Sequence, residues 1–90
     1  MAWRVEIDGD LVKEMRKLDK ATAKRIMAKL REIAALDDPR SAGKALKGNL
    51  AGMWRYRAGD YRILCYIEDG EMLVLVVDVA HRREVYRRRR

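Results

Sequence analysis

The chain has 90 residues, with 21 Lys and Arg against 14 Asp and Glu, a formal charge of +7. That length supports one modest core and no second independent unit, so residues 1–90 are expected to form a single domain, with 86–90 as a basic tail. At 49% hydrophobic and 39% charged residues the composition is that of a globular protein rather than a disordered one. The apolar run 72–77 is too short to span a bilayer, and no signal-peptide stretch opens the chain, so a cytoplasmic protein with no membrane association is expected. The single Cys65 fits that compartment and, lying in a strand-like run, is expected to be buried and inert. The positive excess favours polyanion partners, nucleic acid or the ribosome foremost.

Residues 2–7 alternate apolar and polar, the period of a half-buried strand. Asp8-Gly9-Asp10 interrupts it, and Asp8 or Asp10 is placed to cap a helix. Leu11, Met15 and Leu18, with Val12 beside them, form the apolar stripe of a short helix. Asp19 is a second cap, and Ile26, Leu30 and Ile33 with Met27 and Ala34 predict a longer helix ending near Leu36. Basic residues at 13, 16, 17, 20, 24, 25, 29 and 31 occupy mostly the other faces. Two helices joined almost without a loop predict a hairpin packed on a sheet.

Pro39 cannot continue a helix, and 40–52 is expected to be a connecting loop carrying Arg40, Lys44 and Lys47. Strands are predicted at 53–57, 61–68 and 72–79. Ala58-Gly59-Asp60 turns the first pair, and Asp69-Gly70 is a tight-hairpin signal for the second. The expected class is α+β: an N-terminal strand, a helical hairpin, then a three-stranded antiparallel meander. The nearly continuous third strand should be central, with the helices covering one face.

No metal-ligand cluster, glycine-rich phosphate loop or Ser/His/Asp set is present in the sequence, and one cysteine with one histidine cannot build a structural zinc site; no metal or cofactor is expected. What remains is cationic and aromatic. Side chains alternate along a strand, so Arg55 and Arg57 share one face while Trp54 and Tyr56 share the other. Arg62 opens the second strand of the meander, and Arg82 and Tyr86 follow the third. Neighbouring strands can therefore gather Arg55, Arg62 and Arg82 on one surface, a cluster suited to a phosphate and to the added negative charge of a phosphoryl transition state. Arg62 inside an apolar strand needs a carboxylate such as Asp60, Asp78 or Glu84 if it is buried. From periodicity alone, Arg55 and Arg57 fit a solvated strand face equally well. The six arginines among residues 81–90 suit phosphate, and the four from 87 to 90 form a polyanion-attracting tail.

This order of elements, with Arg57-Ala-Gly-Asp-Tyr-Arg62 and Val79-Ala-His-Arg-Arg-Glu-Val-Tyr86, resembles the RelE/ParE superfamily of toxins from type II toxin–antitoxin systems along essentially the whole chain. The resemblance implies a fold similar to small microbial ribonucleases. For RelE-type members it implies ribosome-dependent endoribonuclease activity, cutting messenger RNA by metal-independent 2′-OH attack and so inhibiting translation. Arg62, Arg82 and Tyr86 match positions the family uses; Arg55 stands where a lysine proposed as base usually stands, and Met53 replaces another lysine. Arginine stays protonated and is a poor proton acceptor.

The resemblance thus implies that Arg62 stabilises transition-state charge, Arg82 contacts the phosphate or leaving oxygen, Tyr86 positions a nucleotide and Arg55 adds a phosphate contact. His81, the one side chain with an intrinsically suitable pKa, becomes a candidate acid or base in the missing lysine's place. Tyr86 or the ribosomal RNA environment is the alternative base. Lys44, Lys47, Arg57, Arg83 and Arg87 are expected to bind RNA or the ribosome. The implied partners are a cognate antitoxin, the ribosome with its message, and operator DNA through the antitoxin complex. Two other functions stay open: inhibition of DNA gyrase, as in ParE-type toxins, or nucleic-acid binding without catalysis.

Overall fold

The computed structural model describes residues 3–84. The first strand, β1, is shorter than its alternating pattern suggested and spans Arg4–Ile7. Its entry is fixed by Trp3, whose backbone N–H donates to the Ala34 carbonyl at 2.9 Å and whose indole N–H donates to the Asp37 carbonyl at 3.1 Å. The first helix, α1, spans Gly9–Met15, with Asp8 at its N-cap. The Asp8 side chain makes no capping bond; its backbone carbonyl receives Leu11 and Val12 instead, and Asp10 lies in the first turn, where the helix dipole favours an acid.

Helix α2 spans Lys20–Ala34, two residues short of the predicted end. Its cap is the expected one: Asp19 accepts from the Thr22 backbone at 3.2 Å and from the Thr22 hydroxyl at 2.6 Å. Ile26, Leu30 and Ile33 are buried as their spacing required. Met27, assigned to the same stripe, is 39% exposed, because it sits one step around the helix from that line.

Strands β2 (Lys44–Ala45), β3 (Trp54–Ala58), β4 (Tyr61–Glu68) and β5 (Leu73–His81) complete one sheet in the order β1-β5-β4-β3-β2. The meander β3-β4-β5 is antiparallel as predicted, and β5 is interior, between β4 and a parallel β1, although the middle strand of the five is β4. Strand β2 is an addition to the expected topology. Its two residues pair with Arg55 and Trp54, inside what the sequence presented as loop, and two residues are too few for any period to show.

The β4–β5 hairpin also differs from its sequence signal. A short 3₁₀ turn occupies Asp69–Glu71, and the left-handed residue is Met72, at φ 49, rather than Gly70. The connection is therefore a four-residue loop built on an i to i+3 bond from Met72 N–H to the Asp69 carbonyl, not a two-residue Asp-Gly turn.

The helices cover one face of the sheet. There Ile26, Leu30 and Ile33 pack with Tyr56, Ile63, Cys65, Val74, Val76 and Val79. A smaller core on the opposite face joins Leu50, Met53, Leu64 and Ala80, with Leu46 and Val77 packed against it. Met53, placed by sequence at the start of a strand, is thus an anchor for the segment that precedes β3. That segment is also held at its start: the buried Tyr56 hydroxyl donates to the Pro39 carbonyl at 2.8 Å. Gly43 lies directly on the Tyr56 ring, where a Cβ would come within 2.8 Å of a ring carbon. Arg40 grips Asp69 with both terminal nitrogens, at 3.0 and 2.6 Å, and its guanidinium lies 5.9 Å from the Trp54 ring centroid. That grip holds the Asp69 carboxyl below its ordinary range, so Arg40 serves the fold.

Two measurements check this packing. Tyr56→Phe leaves the Pro39 carbonyl buried without its donor and should cost about 1–2 kcal/mol in denaturant unfolding; an unchanged midpoint would remove that bond from the account. Burial pushes the Cys65 thiol up to about 12. A thiol reagent at about pH 8, slightly below the free-thiol reference of about 8.5, should therefore react only as fast as the chain unfolds. Fast reaction of the native protein would contradict the placement of Cys65.

Candidate functional site

The face of the sheet away from the helices carries the arginines. Residues opposed across strands point to the same side, so the pairing register defines rows of neighbours. One row runs Lys44, Arg55, Leu64, Asp78 from β2 to β5. The next runs Arg57, Arg62, Ala80. The sheet therefore brings Arg55 and Arg62 to one surface, as the alternation required, with Arg57 and Lys44 alongside. Arg62 is half-buried and its guanidinium donates to the Tyr61 carbonyl at 3.4 Å. Ala80, the partner of Arg62 on β5, is buried in the small outer core with Leu50, Met53 and Leu64.

Arg82 lies just past β5. Its backbone N–H donates to the Asp60 carbonyl at 2.8 Å, which fastens it to the turn that leads into Arg62. Tyr86 and Arg87 lie outside the described residues. Arg83 is exposed in the turn after β5, and Lys47 precedes the 3₁₀ turn Gly48–Leu50 that closes over the outer core.

His81 does not join this surface. It pairs with Tyr61 across the β4–β5 edge, their rings edge to face at 5.8 Å, and lines a hollow of about 130 Å³ with Glu14, Met15, Leu18 and Glu84. That hollow is on the helix side. The physical reason is alternation: Ala80 faces outward, so its neighbour faces inward. The His81 Nδ1 accepts from the Arg83 backbone at 3.3 Å, which shapes the turn after β5.

Asp78 is the buried carboxylate of the described residues, at 3% exposure, and it lies on the arginine face. It shares a row with Arg55 and is diagonal to Arg62, a separation of about 7–8 Å between Cα atoms that a guanidinium can bridge. The sequence named Asp78 as one of several conceivable partners for Arg62; only the register selects the face. Lys29 was named only among the helix cations, with nothing to single it out. It reaches from α2 to a groove shared with Lys44, Arg55 and Arg57, a meeting of distant segments that no local pattern shows. Among the described residues no group of three His, Cys, Asp or Glu is placed to hold a metal ion, and no helix is long and apolar enough to cross a membrane.

The two-helix layer on a mixed five-stranded sheet is a fold this chain shares with bacterial and archaeal toxins of solved structure. The chain belongs to the RelE/ParE superfamily of type II toxin–antitoxin toxins: the family described as "ParE toxin of type II toxin-antitoxin system, parDE" matches residues 5–86. Toxin RelG of Mycobacterium tuberculosis (strain ATCC 25618 / H37Rv) is 40% identical over 67 residues, 71% of this chain and 77% of RelG. A chain of the crystal structure of the toxin–antitoxin complex RelBE2 from the same species is 31% identical with a TM-score of 0.69, the match covering 90% of this chain and 92% of that one. The E. coli toxin RelE, as a double arginine-to-alanine mutant in the free state, aligns at a TM-score of 0.74 and 26% identity over 99% of this chain and 95% of its own.

Arg57 directly opposite Arg62 is a like-charge pair, which weakens a sheet. Arg57→Glu turns it into an opposite-charge pair and should raise the unfolding free energy by about 0.5 kcal/mol, read from the denaturant midpoint. A lower midpoint would show that the two arginines do not oppose each other in solution.

Proposed function

We propose that this toxin is a ribosome-dependent endoribonuclease that cleaves messenger RNA and thereby inhibits translation, with the whole chain acting as one domain. The observation that carries it is the convergence of Arg55, Arg57 and Arg62 in adjacent rows of one sheet face, with Arg82 fastened beside them through Asp60. Such a face meets a phosphate with preorganised, permanently charged donors, which is what a phosphoryl transition state demands. The reaction is attack of a ribose 2′-OH on the adjacent phosphorus, with departure of the 5′ oxygen of the next nucleotide, leaving a 2′,3′-cyclic phosphate and a 5′-OH.

Arg62 stabilises the charge that grows on the non-bridging oxygens, held half-buried near Asp78, where electrostatics are less screened than in water. Arg82 contacts the phosphate from the β5 side and supports the leaving oxygen. Arg55 adds a contact from β3, and Tyr86 positions a nucleotide. His81 takes no catalytic part, since it belongs to the helix side of the sheet. Proton acceptance falls to Tyr86 or to the ribosomal RNA around the substrate, which agrees with an enzyme that relies on the ribosome for orientation. Lys44, Lys47, Arg83 and Arg87 attract and dock RNA through salt-sensitive contacts.

The partners follow from the same reading: a cognate antitoxin that restrains the toxin, as RelB does for RelE in the complexes of relatives, the ribosome with its message, and operator DNA through the antitoxin complex. A second reading is inhibition of DNA gyrase, the activity that the resemblance implies for ParE-type toxins, and the family model that matches is a ParE one. Cell-free translation with added toxin, followed by mapping of message ends, separates the two. Ribosome-dependent cuts should appear, and Arg62→Ala should slow them by about 10²–10³, while His81→Ala should change the rate by less than roughly tenfold. Intact messages alongside loss of gyrase supercoiling would overturn the ribonuclease reading in favour of the second.

A further inference from the structure

At the edge of the sheet, beyond the two residues of β2, a groove of about 200 Å³ opens between the helix layer and β3. Lys29 of α2, Lys44 of β2 and Arg55 and Arg57 of β3 line it, together with Gly43 and Tyr56. No carboxylate lines it. The Lys29 ammonium is 3.6 Å from Glu32, but that carboxylate is two-thirds exposed, and a surface pair of this kind neutralises little. Lys29, Lys44 and Arg57 come from three separate elements, their like charges repel one another, and a bound anion lowers that cost. The groove offers no stacking platform either, because the Tyr56 ring is buried beneath Gly43. Its chemistry is that of a phosphate receptor indifferent to the base.

The groove is continuous with the candidate cleavage surface. Arg57 lines it and also stands directly opposite Arg62. From β5 to β3 is two strand spacings, about 10 Å. We propose that this groove is a second phosphate subsite, holding a backbone phosphate that flanks the one cleaved, with Lys29 as its distinguishing residue. The identity of the strand as substrate RNA rests on the ribonuclease reading; the binding of phosphate does not depend on cleavage. An RNA strand crossing β5, β4 and β3 in turn meets Arg82, Arg62 and then the groove, so the subsite fixes the direction and register of the strand without reading its sequence.

The test uses the full chain and a short fluorescein-labelled oligouridylate, with binding followed by anisotropy across a salt series. Lys29→Gln should weaken binding roughly tenfold and lower the slope of log affinity against log salt by about 0.7, the value for one phosphate contact on a single strand. Lys29→Arg should restore both. Lys13→Gln, on the exposed side of α1, should change neither. Equal losses for Lys29→Gln and Lys13→Gln overturn the proposal, since general attraction then suffices. An unchanged RNA slope with weakened antitoxin binding also overturns it, and assigns the groove to an acidic protein segment. Message mapping with the same variants keeps the two readings apart. If the wild type cuts messages while Lys29→Gln keeps the full slope, the subsite fails and cleavage stands. If Lys29→Gln shows the reduced slope while the wild type cuts nothing, the subsite stands and cleavage fails.

Discussion

One extra residue in β5 sets which side chains face the arginines. The pairing of β4 with β5 shifts register at Leu64/Cys65, so that Cys65 faces Val76 while Leu64 faces Asp78. A β-bulge of this kind resets the alternation of the strand it interrupts. Val76 before it and Val79 after it both point into the helix-side core, although their spacing would otherwise place them on opposite faces. Without the shift, Asp78 would enter that apolar core uncompensated, at a cost of several kcal/mol for a buried charge. The same reset turns His81 inward. A single irregularity thus places a carboxylate among the arginines and withdraws the imidazole from them.

The second constraint is the segment 39–53, which covers part of the outer face without regular structure of any length. It is fixed by Tyr56 under Gly43, by the bond from Tyr56 to Pro39, and by Leu50 and Met53 in the outer core. Arg40 ties it to the distant β4–β5 turn. These contacts bring Lys44 into line with Arg55 and leave the edge of β3 open next to Lys29. The cations divide accordingly: Arg40 is held by Asp38 and Asp69, while Lys29, Lys44, Arg55 and Arg57 line the groove at the edge of β3.

Much of the architecture could be read from residue order. Asp19 and the spacing of Ile26, Leu30 and Ile33 define α2 because capping and helical period are local properties. The uninterrupted apolar run in β5 marks a strand with neighbours on both edges. The arginine face was legible as well, since Arg55 and Arg57 must share a side. What escaped was set by pairing between strands. The bulge leaves no mark within β5, so the sides of Asp78 and His81 were undetermined, and Lys44 and Ala45 gain strand geometry only from their partners in β3. Met72 adopts the left-handed conformation although Gly70 is nearby, because the four-residue loop needs that geometry at its last position. The resemblance to a toxin family supplied the roles of Arg62, Arg82 and Tyr86, which no pattern of burial or charge assigns individually.

The parallel pairing of β1 with β5 has a consequence for the order of events during synthesis. The first strand of the fold finds its partner only in the last, so loop closure across nearly the whole chain precedes completion of the sheet. The arginine face needs β5 too, since Ala80, Asp78 and the anchor for Arg82 all come from it or just beyond. A nascent chain that has not yet released β5 has helices and the β3–β4 hairpin but no assembled cationic surface. The cationic surface therefore assembles only once β5 is free to pair with β4 on one side and β1 on the other.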